Sequence, residues 1–177
     1  MLVALVVGAA TLYAKSARSD GAFPNSQSVL LPRDRPNEII LGTTFGLVFS
    51  EDSGATWRYS CESDSATVNG NQYVMGPPPE DRIYAVSDKG VSVTADGACT
   101  WTVGRGIAAQ LPPLDVFPDP SDPRRAFALA MGLDDGLVSA YRSRDGGRTY
   151  AAPIFKSPTD ARITGIEVAT SEPSTVS

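Results

Sequence analysis

The chain has 177 residues, a formal net charge of −5 at neutral pH, and no histidine. The length fits one ordinary domain, and the acidic balance excludes nucleic acid as an expected partner because such binding requires a basic surface. Without histidine, the chain cannot carry Ser-His-Asp catalysis, Cys-His catalysis or histidine-based metal sites, so we expect no metal and no cofactor.

The N-terminus is apolar over residues 1–14, and residues 15–20 break this run with charged and small side chains. The apolar run is too short to span a bilayer, so we expect no membrane-spanning segment. Its length is typical of the hydrophobic core of a secretory signal. The sequence therefore predicts a signal peptide over residues 1–19 and export to the periplasm or the extracellular space. The alternative is a buried N-terminal strand.

Three successive segments share one pattern of short apolar runs separated by turns rich in proline, glycine and aspartate. Short runs of β-branched and aromatic residues between such turns predict β-strands, and no long window has the spacing of an amphipathic helix. Each segment supplies a strand A, a Pro-rich loop, a strand B, a polar turn, a strand C, a second turn and a strand D. The predicted A, B and C strands cover residues 28–31, 38–41 and 47–49, then 73–75, 82–86 and 90–93, then 114–117, 125–129 and 137–141.

The turn after each strand C carries the same phrase: Ser/Thr, any residue, Asp, any residue, Gly, any residue, Thr and an aromatic residue. The second copy departs from it, since Ala98 stands at the glycine position and Gly97 lies one place early. Asp and Ser side chains accept hydrogen bonds from backbone N–H groups a residue or two on, so the phrase predicts a closed turn. The matching residues are Ser50, Asp52, Gly54, Thr56 and Trp57; Thr94, Asp96, Thr100 and Trp101; and Ser143, Asp145, Gly147, Thr149 and Tyr150.

This phrase resembles the Asp-box, also called the BNR repeat, of sialidases, sortilin-like receptors and related proteins. The copies recur at roughly 40–50 residues, a period typical of propeller blades. The resemblance implies an all-β fold, namely a β-propeller of four-stranded blades with Asp-box turns. We expect blades at about residues 28–61, 72–104 and 113–155 and the start of a fourth from residue 163. Residues 20–177 would then form a partial β-propeller.

The resemblance also implies that the boxes lie at the blade periphery, away from any active site. One Asp per blade at the same turn keeps Asp52, Asp96 and Asp145 apart, so we expect them to close turns rather than to catalyse or to bind metal. The aromatic residue after each box should pack between neighbouring blades. Cys61 and Cys99 are predicted to form a disulfide that links adjacent blades, since paired cysteines are usual in exported proteins.

Propeller sites usually lie on the top face, which is formed by the B–C turns and the D–A linkers. The candidates there are Asp88, Lys89, Asp134 and Asp135, although both pairs also fit ordinary turns. The stretch before the first box lacks the Arg-Ile-Pro phrase of sialidases, so we assign no sialidase catalytic residue.

Two functions therefore stay open. The first is an exported, non-catalytic propeller that binds a protein or a glycan through its top face. The second is a fragment of a sialidase-like or other glycan-acting glycoside hydrolase, with catalytic residues partly outside this chain. Three blades and part of a fourth leave two blade faces exposed, so we expect a piece of a longer propeller or a ring that other chains complete.

Overall fold

A computed structural model describes residues 25–44, 46–60, 72–106, 111–159, 161 and 163–169. Over these residues the fold is all-β, with fourteen strands and no helix. Accordingly, no helix in the described part is long and apolar enough to cross a membrane. The predicted signal peptide and Cys61 lie outside the described residues.

Twelve of the strands form three antiparallel four-stranded sheets, which we call blades 1, 2 and 3. Neighbouring strands follow chain order in each blade, as expected for strands joined by short hairpin connections. Blade 1 comprises β1 (Ser26–Leu30), β2 (Ile39–Thr43), β3 (Gly46–Ser50) and β4 (Arg58–Tyr59). Blade 2 comprises β5 (Gln72–Met75), β6 (Ile83–Ser87), β7 (Gly90–Thr94) and β8 (Thr102–Val103). Blade 3 comprises β10 (Pro113–Pro118), β11 (Ala126–Met131), β12 (Val138–Ser143) and β14 (Pro153–Lys156).

A parallel pair of two-residue strands joins blades 2 and 3 and was not predicted. It consists of β9 (Arg105–Gly106) and β13 (Thr149–Tyr150). In blades 1 and 2 the fourth strand begins directly after the turn tryptophan. In blade 3 the last two residues of the phrase, Thr149 and Tyr150, pair with β9 instead, and the fourth strand begins only at Pro153. This pairing depends on a contact between distant segments, which local strand patterns do not encode.

The apolar core lies between the blades. Because blade 2 is covered on both sides, every residue of β6 and β7 is buried. The apolar alternation along the strands predicts Phe49, Tyr73, Tyr84 and Phe127 as core residues, and all four are buried. The first interface joins Leu30, Ile40, Leu47 and Phe49 of blade 1 to Tyr73, Ile83, Ala85 and Ala98 of blade 2. The second joins Tyr84, Val86, Val91 and Val93 of blade 2 to Val116, Ala126, Ala128, Ala130, Tyr141 and Tyr150 of blade 3.

Polar side chains also connect neighbouring blades. The Arg35 guanidinium, in the loop between β1 and β2, lies 2.5 Å from a carboxylate oxygen of Asp81 in the corresponding loop of blade 2. The buried Arg82 donates from Nη1 to the carbonyl oxygen of Pro123 in blade 3 at 3.0 Å. Each hydrogen bond of this kind contributes modestly to stability. A shift of one blade against the next would break it and leave a buried donor unpaired, which is costly.

The fourth repeat differs from its predicted strand. Residues 163–169 contain only an isolated bridge residue, Val168, where strand A was expected. Ile163 and Ile166 nevertheless pack on blade 3 against Leu129, Val138 and Ala140. Ile163 and Ile166 are therefore partly buried, but residues 163–169 do not form the expected strand within the described part of the chain.

Candidate functional site

The three repeated turns lie between the third strand of a blade and the segment that follows, and the same hydrogen bonds close each one. In the first turn, the Ser50 hydroxyl donates to Asp52 Oδ1 at 2.8 Å and accepts the Gly54 N–H at 2.8 Å. Thr56 donates its N–H to Asp52 Oδ1 at 2.8 Å and its hydroxyl to Oδ2 at 2.6 Å. The second turn repeats these bonds with Thr94, Asp96, Ala98 and Thr100, and the third with Ser143, Asp145, Gly147 and Thr149.

Both carboxylate oxygens of each turn aspartate therefore accept hydrogen bonds from the chain's own turn. The Thr56 hydroxyl, the Thr56 N–H and the Ser50 hydroxyl lower the pKa of Asp52 from 3.8 to about 2. Burial raises the pKa of Asp96 and of Asp145, but hydrogen bonds from Thr100 and Thr149 outweigh it, and both pKa values are lowered. Carboxylates held ionised in this way suit turn closure better than proton transfer near neutral pH.

These lowered pKa values predict a loss of stability in acid. Because the folded pKa of Asp52, about 2, lies below its ordinary 3.8, this group stabilises the fold above about pH 4. The stabilisation is lost as the pH falls through about 2. Thr56→Val removes one donor and should raise the pKa of Asp52, as followed by NMR titration of the carboxyl group. Glu51→Gln, at the position before Asp52, is the matched control, since Glu51 makes none of the hydrogen bonds to the Asp52 carboxylate. A folded-state midpoint near 4 for Asp52, unmoved by Thr56→Val, would contradict this account.

The aromatic residues after the three turns occupy different environments. Tyr150 is buried in the interface between blades 2 and 3. Trp101 is half-buried, packs on the interface between blades 1 and 2, and its ring centroid lies 6.2 Å from that of Tyr73. Trp57 is 43% exposed, and its indole N–H donates to the Gly54 carbonyl oxygen at 3.0 Å. The described residues place no blade beside Trp57, which accounts for its exposure.

A groove of about 620 Å³ opens on the top face between blades 2 and 3. We call it the top groove. Residues from the start of the innermost strands, from the β6–β7 turn and from the β11–β12 turn form its walls. The lining residues are Gln72, Val86, Ser87, Asp88, Lys89, Gly90, Leu111, Pro112, Pro113, Leu114 and Leu133.

The top groove brings together polar and apolar groups. Asp88 and Lys89 are exposed at the tip of the β6–β7 hairpin, where the Ser87 hydroxyl accepts the Lys89 N–H at 3.2 Å. Gln72 donates from Nε2 to Asp115 Oδ1 of blade 3 at 3.0 Å, which ties the two blades together beside the groove. Leu133 supplies an exposed apolar wall. A concave surface with apolar walls and a few convergent polar groups is the usual form of a ligand site.

The other two top-face candidates, Asp134 and Asp135, lie in the β11–β12 turn but do not line the groove. Asp135 accepts the Leu137 N–H at 3.0 Å and pairs with Lys156 Nζ at 2.5 Å. The hydrogen bond from Lys156 lowers the pKa of Asp135. This carboxylate is thus engaged in its turn, whereas Asp88, of the same predicted set, faces the groove.

Sequence reasoning missed several groove residues, namely Gln72, Leu133 and the segment from Leu111 to Leu114. Gln72 is a polar residue directly before a predicted strand A, and this was the signal available for the first of these. Within the described residues no cluster of three or more acidic or cysteine side chains could hold a metal ion. That part of the chain also contains no free cysteine. The Cys61–Cys99 disulfide stays a prediction, because Cys61 lies outside the described residues.

No protein-family profile matches the chain. A xyloglucanase from a Paenibacillus species is 26% identical over 102 residues, which cover 58% of this chain and 9% of that protein.

Two solved GH74 enzymes share the fold. An ancestral GH74 enzyme superposes with a TM-score of 0.64 at 15% identity, over 85% of this chain and 21% of the enzyme. The GH74 enzyme of Niastella koreensis superposes with a TM-score of 0.50 at 18% identity, over 72% of this chain and 22% of the enzyme. The chain thus spans about a fifth of these solved chains and about a tenth of the xyloglucanase. The superpositions identify the stacked four-stranded sheets as blades of a β-propeller.

Proposed function

We propose that this chain is part of a β-propeller glycoside hydrolase that acts on a xyloglucan-type polysaccharide, and that the top groove is one of its sugar-binding surfaces. The observation that carries the proposal is the 26% identity to a xyloglucanase over 102 residues. The fold shared with two GH74 enzymes supports it, although fold alone does not determine activity. The expected export of the chain fits a polysaccharide substrate and belongs to the same proposal.

The chemistry of the top groove supports sugar binding. Asp88 carries hydrogen-bond acceptors, and Lys89 and Gln72 carry donors, so together these three lining residues match the donor and acceptor character of sugar hydroxyl groups. Leu114 and Leu133 provide apolar walls for the C–H faces of the rings. Many weak polar contacts over an apolar surface are typical of ligand clefts.

Hydrolysis of a glycosidic bond requires two carboxyl groups that flank the scissile bond. Asp88 is the one carboxylate among the described residues that line the top groove. In the proposed enzyme, a second carboxyl group would come from residues beyond those described. The presence of one carboxylate in the described lining of the groove also favours a second candidate function, a non-catalytic propeller that binds glycan through this groove.

We also propose that the three repeated turns are Asp-boxes. The shared hydrogen bonds from the Ser/Thr hydroxyl and from the Thr N–H and hydroxyl to the Asp carboxylate support this assignment. Their position, between the third strand and the following segment of each blade, leaves the top groove free for ligand.

Calorimetric titration of the full chain with xyloglucan oligosaccharides tests the proposed function. We expect saturable binding that Asp88→Ala weakens by about tenfold, since a hydrogen bond to a charged group contributes about 1.5–3 kcal/mol. Asp134→Ala, which removes an exposed carboxylate of the same face outside the groove, is the matched control and should leave the affinity unchanged.

Three other results decide between the alternatives. Absence of binding to xyloglucan oligosaccharides, or binding insensitive to Asp88→Ala, would overturn the assignment of the groove. Release of new reducing ends from xyloglucan by the chain, abolished by Asp88→Asn, would place catalysis in this groove. Binding without any such release in the chain and in every longer form of the protein would favour the non-catalytic propeller.

A further inference from the structure

The innermost strand of blade 3, β10, is irregular where it borders the top groove. Its register against β11 shifts between Pro113 and Asp115, and Leu114, between them, has no partner in β11. Such a bulge redirects the side chains on either side of the extra residue. Pro113 and Leu114 line the top groove, whereas Asp115 is half-buried and does not belong to the lining. The bulge therefore separates a groove wall from a carboxylate beside the groove.

The Asp115 carboxylate joins this bulge to blade 2. Its Oδ1 accepts the backbone N–H of Val116, a buried residue, at 2.7 Å, so the carboxylate is fixed on its own strand. The same oxygen accepts a hydrogen bond from Nε2 of Gln72 at 3.0 Å. Gln72 is exposed and lines the top groove. An oxygen fixed to the backbone of blade 3 thus restrains a groove side chain of blade 2.

The position of Asp115 determines which way the Gln72 amide faces. A carboxylate offers only acceptors, so the amide turns its nitrogen toward Asp115 and its oxygen away from it. One N–H of Nε2 is used in this contact. The second N–H and the lone pairs of Oε1 stay available to a ligand, since the Gln72 side chain makes no other hydrogen bond within the described residues. Gln72 therefore presents one donor and one acceptor in a fixed arrangement.

We propose that Asp115 is a positioning residue of the top groove, and that it holds the Gln72 amide so that Oε1 and the second N–H contact two neighbouring hydroxyl groups of one sugar ring. A hydroxyl group both donates and accepts, so two adjacent hydroxyls match one acceptor and one donor. An amide that is already held in place loses less freedom on binding than a free side chain does. The role in sugar binding rests on the proposed function, whereas the restraint on Gln72 is a property of the free protein.

NMR relaxation of the Gln72 side-chain amide group in the free protein tests the restraint. We expect an order parameter near about 0.85, the value of rigid backbone, and a fall below about 0.6 in Asp115→Ala, which removes the acceptor. Asp115→Leu is a second variant that keeps the bulk of the side chain without an acceptor, and circular dichroism checks the fold of both. Asp115→Asn keeps an oxygen for both donors and should keep the amide ordered. An amide that is mobile in the unaltered chain, or that stays ordered in Asp115→Ala and Asp115→Leu, would show that Asp115 does not position Gln72.

Calorimetric titration of the same variants with xyloglucan oligosaccharides tests whether the restraint serves sugar binding. Asp115→Ala and Asp115→Leu should weaken binding by about three- to tenfold, the contribution of one hydrogen bond, although Asp115 does not line the groove. Asp115→Asn should stay within about twofold of the unaltered chain. Asp134→Asn is the matched control, since Asp134 is an exposed carboxylate of the same face outside the groove. It should change neither the affinity nor the order parameter of Gln72.

This proposal and the proposed function fail in different ways. If no oligosaccharide binds the unaltered chain while the Gln72 amide is ordered and loses its order in Asp115→Ala, the glycan-acting function is wrong and Asp115 still positions Gln72. If oligosaccharides bind and Asp115→Ala binds them as tightly as the unaltered chain does, the groove assignment holds and the role of Asp115 in sugar binding is wrong. Equal weakening by Asp115→Asn and Asp115→Ala would also contradict this role, because the loss would then follow the charge rather than the hydrogen bond to Gln72.

Discussion

Replacing Asp119 with alanine should lower the free energy of unfolding by about 3–5 kcal/mol, the range for breaking a buried ion pair by removing one partner. Asp119 is completely buried in the loop between β10 and β11. One carboxylate oxygen lies 2.5 Å from Nε of Arg125, and the other accepts the N–H and the hydroxyl of Ser121 at 2.8 and 2.7 Å. Alanine would leave the guanidinium and both Ser121 donors without these acceptors.

The carboxylate is charged in the folded protein despite its burial. Burial raises the pKa of Asp119, but the Ser121 donors and Arg125 outweigh this effect and lower it. A loss of several kcal/mol would remove a large part of the protein's stability, because the net stability of a domain is only about 5–15 kcal/mol. Urea unfolding monitored by circular dichroism measures it.

Glu51→Ala is the control for the Asp119 prediction. Glu51 also pairs with an arginine, Arg58, at 2.7 Å, but both side chains are more than half exposed. Exposed pairs of this kind contribute about 0–1 kcal/mol. Arg125→Met combined with Asp119→Ala completes a double-mutant cycle and should recover part of the loss, since no charge then remains unpaired. Equal, small effects of Asp119→Ala and Glu51→Ala would show that the buried pair does not hold this loop.

Gly147→Ala should be the second most damaging substitution. Gly147 has a φ of +86°, a left-handed conformation that costs an L-residue about 1–2 kcal/mol. A Cβ atom there would also lie 2.6 Å from Cε1 of Tyr84, a buried side chain of the neighbouring blade. Overpacking of a well-packed interior costs about 1–3 kcal/mol more. We therefore expect a total loss of about 2–5 kcal/mol in urea unfolding.

Gly54→Ala is the matched control, because Gly54 holds the same position in the first turn with a φ of +91°. The nearest atom to an added Cβ there is 3.6 Å away, on Trp57, so only the backbone cost of about 1–2 kcal/mol is expected. Ala98 occupies the equivalent position of the second turn with a φ of +67°, which shows that the turn accommodates alanine. Equal losses for Gly147→Ala and Gly54→Ala would refute the proposed clash with Tyr84.

The turns and blades could be predicted because their causes are local. Ser50, Asp52 and Thr56 bond to one another within seven residues, so the phrase that contains them specifies the turn wherever it occurs. Even Ala98, which breaks the phrase, adopts the left-handed backbone conformation of the glycines it replaces. The alternation of apolar residues likewise identified the inner strands to within one or two residues.

The remaining features depend on contacts between segments far apart in the chain. The parallel pairing of β9 with β13 has no counterpart in the other described blades, so the repeat offered no guide to it. The groove could be placed on the top face from Asp88 and Lys89. The apolar wall at Leu133 could not be predicted, because its position depends on how blades 2 and 3 are rotated against each other. Trp57 was expected between blades and is exposed, because its environment depends on a neighbour rather than on its own turn.

The most direct test of the central claim, that this chain presents a glycan-binding groove on the top face of a propeller, is an NMR titration of the labelled protein with xyloglucan oligosaccharides. The account predicts saturable shifts of the amide resonances of Gln72, Ser87 to Gly90, Leu114 and Leu133, the residues of the top groove. It also predicts unchanged resonances at the three repeated turns. Absence of shifts, or shifts confined to the turns and the outer strands β4, β8 and β14, would contradict it.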